Sequence, residues 1–446
     1  MDAIQQESVP VPVEQARPRR HAVVLLMAVA IVSVALARET LHIAIAAALG
    51  DSNKVEEVRR AIALDPDNPD LHHRLGMILY FTMAAFDPTE GINHLRRATE
   101  LDPRASYYWL DLANACESSG EAVCADQAFE KAVRLSPRTP RFEWAAGNHY
   151  LRADRSDLAL AHFRRLLELD PGYAFPTFHL CLGFLENPEI ILQKVLPAGK
   201  NPGLKLAYVD FLSNNHQADF AYRVWQQVVN DGSSFPFSMA ETYLNRLIEL
   251  GRSQEASRVW QNLEGLGAII KPVSDDPGNL VFNGDFERDP LNAGFDWRYL
   301  DVPYLSRDFA DPAAYHGSRC LRLDFAVRRN DEYLAAYQFV PVSADRSYVL
   351  SFQARSQGIT SDSGPLLRVV DLECPSCLTA FSEGTTGTTP WHRVQLRFST
   401  GPDTRLVHLS IFRLRGRTFP MDIAGSFWVD DIVLKPANFD EQTVSR

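Results

Sequence analysis

The tripeptides Leu101-Asp102-Pro103, Leu135-Ser136-Pro137 and Leu169-Asp170-Pro171 recur at intervals of 34 residues, and Leu64-Asp65-Pro66 stands 37 before the first of them. A fixed period of this length restricts the fold to a stack of small units, each unable to bury its apolar face alone. From about residue 40 to 266, apolar residues recur at three and four spacing between Asp-Pro, Asn-Pro and Gly signals, which predicts short antiparallel helices. At 446 residues the chain has room for two or three domains, and 46% apolar with 23% charged residues excludes a disordered or collagen-like chain.

The interior of each unit repeats a size pattern. Ala125, Phe129 and Ala132 precede Pro137; Ala159, Phe163 and Leu166 precede Pro171; Gly91, Leu95 and Ala98 precede Pro103. On the first helices, Trp109, Leu112 and Ala113 match Ala146, Gly147 and Tyr150. Small residues at these places let helix backbones approach, and large ones fill the hole left by the neighbouring unit. The pattern resembles the tetratricopeptide repeat over residues 69–171. A helical array of about five to six pairs is expected over 38–271, with a late repeat at Tyr243–Leu250 and Glu255, Ala256, Trp260 and Leu263. The loop at 84–90 departs from the period by three residues.

That resemblance implies a protein partner held on the face of the first helices. The matching positions are His73, Met77, Tyr107, Leu110, Asn114, Trp144, Asn148 and Arg152. Asn114 and Asn148 share one slot of successive repeats and suit an extended peptide backbone. Leu110 and Trp144 replace the basic residue of a carboxylate clamp, which argues against capture of a C-terminus. The opposing reading packs Tyr107 and Trp144 between helices and leaves the Asn residues solvated.

Residues 21–37, HAVVLLMAVAIVSVALA, contain no Lys, Arg, Asp or Glu. At about 1.5 Å per residue the run makes a helix of about 25 Å, close to a hydrocarbon core. Arg17, Arg19 and Arg20 stand directly before it, which predicts a single-pass inner-membrane anchor with segment 1–20 in the cytoplasm and the bulk periplasmic. Ala35-Leu36-Ala37 also fits the small-residue rule for signal cleavage, so secretion after removal at Ala37 is the alternative.

Near residue 272 the texture changes. A linker at 272–278 precedes alternating apolar and polar residues, with strands expected at 280–287, 295–299, 318–325, 334–341, 347–355, 366–373, 391–399, 404–413 and 426–434. These imply an antiparallel two-sheet sandwich followed by a tail at 437–446. The opening Asn279–Glu287 and closing Phe427–Leu434, with His316-Gly317-Ser318-Arg319-Cys320-Leu321, Tyr348–Phe352 and Trp391, resemble galactose-binding-like jelly rolls of carbohydrate-binding modules over 279–436. The resemblance implies a structural Ca²⁺ on Asp285, Glu287, Asp430 and Asp431, which would need further oxygens to reach six to eight ligands. It also implies a glycan stacked on aromatic faces, for which Trp297, Tyr299, Tyr304, Tyr333 and Tyr337 are the candidates; core or edge packing is the competing role for each.

Six cysteines sit in a chain expected to be exported. Cys116 and Cys124 flank the turn of one helical hairpin, and Cys374-Pro375-Ser376-Cys377 reads as a local loop closure rather than half of a zinc site, so both pairs are disulfide candidates. A net charge of -11, with no long basic run after residue 20, excludes a nucleic-acid surface. The chain has no Gly-x-Ser-x-Gly, no His-Glu-x-x-His and no phosphate-cradling glycine loop, so no enzyme is expected. The expected role is an exported scaffold, with envelope polysaccharide assembly or export as its setting. A glycan-processing enzyme with a spatially assembled carboxylate pair and a pure protein scaffold are the alternatives.

Overall fold

The computed structural model describes residues 20–197, 199, 202–271, 278–301, 304–419 and 421–437. The segment 1–19, the linker residues 272–277 and the tail from 438 lie outside the described residues. The chain divides into two compact units, one running to Tyr173 and including Leu192–Pro197, the other formed by Ala174–Ile191 and the chain from Ala198 onward.

The first unit opens with α1 (Arg20–Gly50), a single helix of 31 residues. From Ala22 to Leu41 every residue of it is exposed, and Ala22–Gly50 is long and apolar enough to cross a membrane. Its last turns behave differently. Ala46 is fully buried with Ala61 and Leu71, so the apolar run continues without a break into the opening helix of the repeat array.

There follow α2 (Val55–Leu64), α3 (Pro69–Phe81), α4 (Pro88–Leu101), α5 (Ser106–Ser118), α6 (Ala122–Leu135), α7 (Pro140–Arg152) and α8 (Ser156–Leu169). Local chemistry sets their starts. Pro69, Pro88 and Pro140 occupy first helical positions, where the missing N–H costs nothing. The Asn68 side chain accepts from the Asp70 amide at 3.1 Å, and Asp87 accepts from Glu90 at 3.0 Å. Between α7 and α8 the backbones approach so closely that a Cβ on Gly147 would lie 2.6 Å from the Phe163 ring. The enlarged loop after α3 holds one 3₁₀ turn, Met83–Ala85.

The second unit continues the pairing with α9 (Ala174–Leu185), most of the short α10 (Pro188–Lys194), α11 (Pro202–Asn214), α12 (Ala218–Asp231), α13 (Glu241–Glu249) and α14 (Ser253–Gly265). Fourteen helices in the described residues make seven pairs rather than five to six. The additional pairs fall in the stretch after Pro171, where the repeat pattern thins.

Nine strands then form two antiparallel sheets: β1 (Ser306–Asp311), β2 (Cys320–Arg329), β3 (Tyr333–Pro341), β4 (Ser347–Ile359), β5 (Leu366–Val370), β6 (Thr379–Phe381), β7 (Gly387–Ser399), β8 (Leu406–Arg413) and β9 (Ile423–Pro436). Their orders are β1-β2-β9-β4-β7 and β3-β8-β5-β6. One core joins both sheets, with Leu321, Leu323, Leu350, Phe352, Phe427 and Val429 meeting Ala336, Val340, Leu367, Val369, Leu409 and Ile411. The expected strands at 280–287 and 295–299 are irregular instead, while β1 and β6 were not anticipated. Asn283 and Phe286 have φ of 52° and 53°, which breaks a strand, and the segment meets β9 through Leu280 N–H to Leu434 O, Ile432 N–H to Gly284 O and the Asn279 side chain, which donates to Ile432 O and accepts from Leu434 N–H.

Candidate functional site

On the first helices of the first unit, the predicted groove residues are largely tied to their neighbours. His73 Nε2 lies 2.8 Å from Asp111 Oδ2, bridging α3 to α5. The hydroxyls of Tyr107 and Tyr108 both donate to Asp70, and burial pushes the Tyr108 hydroxyl well above its ordinary range. Tyr107 nevertheless keeps 45% of its surface exposed. Arg152 donates twice to Glu117, at 3.0 and 2.7 Å.

The Asn slot is uneven. Asn148 donates to the Trp144 carbonyl of its own helix at 2.7 Å, which turns its amide from the groove, whereas Asn114 has no side-chain hydrogen bond among the described residues. Trp144 is half-buried between Phe163 and Tyr173, with ring centroids at 5.8 and 5.7 Å, so it packs the array rather than presenting a face. Met77 is half-buried and Leu110 buried.

An ionic lattice around one buried histidine escaped the sequence reading. His149 sits between Glu117 Oε1 at 2.9 Å and Asp126 Oδ1 at 2.8 Å, and Arg152 and Arg155 reach the same two carboxylates. Burial opposes ionisation of Glu117 and Asp126, but their His149 and Arg hydrogen bonds outweigh it and hold both below the usual carboxylate range. Glu143 is buried and meets His162 at 2.7 Å. The available signal was Glu143 itself, a carboxylate in a slot where Trp109 stands one repeat earlier.

In the sandwich the expected sugar-stacking rings are mostly core, which corrects that assignment. Trp297 is fully buried, stacks near Phe286 at 5.3 Å and donates from Nε1 to the Asn283 carbonyl at 2.9 Å. Tyr333 belongs to the same core, with Tyr304 packed on it at 5.9 Å. Tyr299 lies between Phe309 and the Arg307 guanidinium, at 5.1 and 5.3 Å. Tyr337 alone faces outward from the smaller sheet, stacked on His408 at 4.8 Å. Each ring has already spent a face on a protein neighbour.

Two other aromatics are better placed. Tyr315, 51% exposed, meets Trp391 edge to face at 5.9 Å beside the outward side of the larger sheet. Tyr315 edges a cavity of about 740 Å³ whose wall includes Ser351, Gln353, Arg393, His316 and Asp431. Arg393 donates to Ser351 Oγ at 3.2 Å, and the Tyr315 and His316 amides donate to buried Asp430 at 2.9 and 3.2 Å, which fixes the loop that carries Tyr315. A stacking ring above planar donors and acceptors is the chemistry that holds a pyranose.

The four carboxylates that the resemblance assigns to Ca²⁺ are engaged by protein donors. Glu287 accepts from Ser318 N–H at 2.7 Å, Ser318 Oγ at 2.6 Å and Arg319 N–H at 2.9 Å. Asp430 accepts from three backbone amides, and burial still pushes it up to about 7. Asp285 accepts from the Glu287 amide at 3.4 Å, and Asp431 lies 3.9 Å from His316 Nδ1. Among the described residues these oxygens do not converge as a ligand set.

Cys116 and Cys124 are joined at 2.07 Å between sulfurs, and Cys374 and Cys377 at 1.94 Å. Cys181 and Cys320 are free and buried, and burial pushes both thiols up to about 12, leaving them unreactive.

No curated protein matches the chain. Among solved structures it resembles the crystal structure of MamA at 15% identity, covering 40% of this chain and 85% of that one with a TM-score of 0.26. It resembles PilF of Pseudomonas aeruginosa at 16% identity, covering 51% and 91% with a TM-score of 0.27. A structure titled for CBM4 matches at 17% identity, covering 35% of this chain and 99% of that one with a TM-score of 0.26. At such scores none of these likenesses carries an argument about what the chain does, and no enzyme family is indicated. The tetratricopeptide repeat family matches residues 125–174, the stretch from α6 to the turn before α9, so the chain is a tetratricopeptide-like helical array followed by a β-sheet domain.

Proposed function

We propose that this protein is a membrane-anchored, non-catalytic adaptor whose repeat array holds an extended segment of a protein partner. The observation that carries the reading is the row of exposed and half-buried polar and aromatic side chains, His73, Tyr107, Asn114 and Arg152, presented by α3, α5 and α7. The contacts of His73 with Asp111, Tyr107 with Asp70 and Arg152 with Glu117 run between repeats, so a partner meets a surface ordered before it arrives, which lowers the entropic cost of binding. A photo-crosslinking residue at position 114 should yield one discrete adduct in cells, while the same residue at exposed Gln127 on α6 should yield none; equal labelling from both positions refutes the groove.

In this reading α1 holds the array at the membrane, with the segment before it in the cytoplasm and the remainder exported. Uninterrupted exposure from Ala22 to Leu41 supports it, because an apolar helix without protein cover needs lipid. Leu25→Arg with Val32→Arg should release the chain from carbonate-washed membranes, each charge costing about 3 kcal/mol at mid-bilayer. A mature N-terminus at Arg38 would remove the anchor.

The sandwich, read as a jelly roll, binds glycan at Tyr315 and Trp391, and envelope polysaccharide assembly is the setting in which such an adaptor serves. Trp391→Ala should abolish retention of the full chain on immobilised polysaccharide while leaving its thermal unfolding unchanged; undiminished retention refutes the assignment.

A further inference from the structure

The first helices of the pairs share one register. Their ninth residue is Met77 in α3, Asn114 in α5, Asn148 in α7 and Asp210 in α11. The equivalence holds for α11 because the same offset sets Trp225 of α12 where Phe163 stands in α8, and both rings are fully buried. One slot of the face assigned to the partner thus carries a carboxylate where two other helices carry a carboxamide.

The exchange has a chemical cost. Asn148 donates its amide N–H to the Trp144 carbonyl one turn back, at 2.7 Å. An ionised aspartate has no proton to donate, so that tie is closed to Asp210. Among the described residues no hydrogen bond or ion pair engages the Asp210 side chain, and its Oδ1 is buried without a partner.

The groups around it leave the charge unanswered. Lys205 of the same helix pairs with Asp231 at 2.5 Å, and Arg246 of α13 pairs with Glu249 at 3.1 Å. The Tyr243 hydroxyl on α13 is also buried without a partner and makes no bond to Asp210. Burial alone, with no neighbouring charge contributing, pushes the Asp210 carboxyl from 3.8 up to about 6, which leaves it a carboxylate near neutral pH. Asp210 is half-buried rather than sealed. Ala207 and Asn214, three and four residues away on the same face of α11, also keep part of their surface, so the slot opens to solvent. A desolvated anion without a donor lowers stability and gives the fold nothing in return, which marks the position as one kept for a ligand.

We propose that Asp210 takes a basic side chain, lysine or arginine, from the extended partner segment, whose cation supplies the charge and the donors that the chain itself withholds. The inference rests on the groove reading and adds to it the chemistry of the partner.

The test presents the full chain, in detergent micelles, with a degenerate decapeptide library in which one position at a time is fixed. Lysine and arginine should be retained at least fivefold over alanine at one position, and the enrichment should fall at least threefold between about 50 and 500 mM NaCl. Asp210→Asn keeps the shape and removes the charge. It should abolish the enrichment without lowering the thermal midpoint, whereas a carboxylate that served the fold would lower it. Retention of the library with no basic preference, or a preference that survives in folded Asp210→Asn, overturns the inference and leaves the groove standing. An enrichment insensitive to salt overturns it on the parent protein alone, and failure to retain any peptide overturns both readings.

Discussion

The side-chain oxygen of Asn245 on α13 accepts from the Arg298 guanidinium at 2.6 Å and from the Gly294 amide at 3.0 Å, so one carboxamide clamps the last helical pair to the sandwich. Gly294 completes the joint. It has φ of 57°, and a Cβ there would lie 2.4 Å from Trp260 of α14 and 2.7 Å from Leu244 of α13. The sheet domain is therefore built against the helices that precede it, and the linker in the sequence does not mark a free hinge.

Asn245→Ala removes the acceptor from the buried Gly294 amide and the half-buried Arg298 guanidinium and should cost about 1–3 kcal/mol. Asn245→Asp keeps the acceptor and adds a charge beside Arg298, so it should recover most of the loss. Denaturant titration of both variants checks the order; equal destabilisation would mean that the carboxamide oxygen is not the clamp.

Gly147→Ala forces a methyl to within 2.6 Å of the Phe163 ring between α7 and α8. Overpacking of this kind should cost about 1–3 kcal/mol. In a Phe163→Leu background the penalty should largely vanish, and a double-mutant cycle on the unfolding free energies measures the coupling. Additive losses would show that the helices separate freely at this point.

Asp296 accepts from the Leu291 and Trp297 amides at 2.8 and 2.7 Å, yet burial outweighs these bonds and pushes its carboxyl from 3.8 up to about 7. The folded state then holds this proton more tightly than the unfolded state does. Its contribution is complete below the ordinary Asp range and is lost as the pH rises through about 7. Thermal midpoints of the sandwich transition should fall over that window, and Asp296→Asn should flatten the slope, leaving a remainder from Asp430, which burial shifts the same way. A slope identical to that of the parent protein would exclude Asp296 as its source.

Reduction of the Cys116–Cys124 bond, which closes the short loop between α5 and α6, should destabilise the first unit by about 2–3 kcal/mol through the entropy of the unfolded chain. Cys116→Ala with Cys124→Ala should melt early and lose its sensitivity to reductant. The paired variant Cys374→Ala with Cys377→Ala opens a still shorter loop and should shift the unfolding of the sheet domain less.

The repeat period, the size pattern before Pro103, Pro137 and Pro171, and the uncharged run before Arg38 were legible in the sequence because each is decided within one or two helical turns. A proline at a first position, a side-chain cap or the small residue of a close contact acts on neighbours that the sequence itself specifies. Seven of the nine strands were legible for the same reason, since alternation is a property of adjacent residues. Tertiary structure alone decided which rings are free. Trp297 and Trp391 look alike as strand-region aromatics, but one is walled in by Phe286 and the core while the other meets Tyr315, 76 residues earlier in the chain, at the surface. It also decided that Glu287 and Asp430 spend their oxygens on amides rather than on each other. Burial and partnership depend on chain segments far apart in sequence, and no local pattern carries that information.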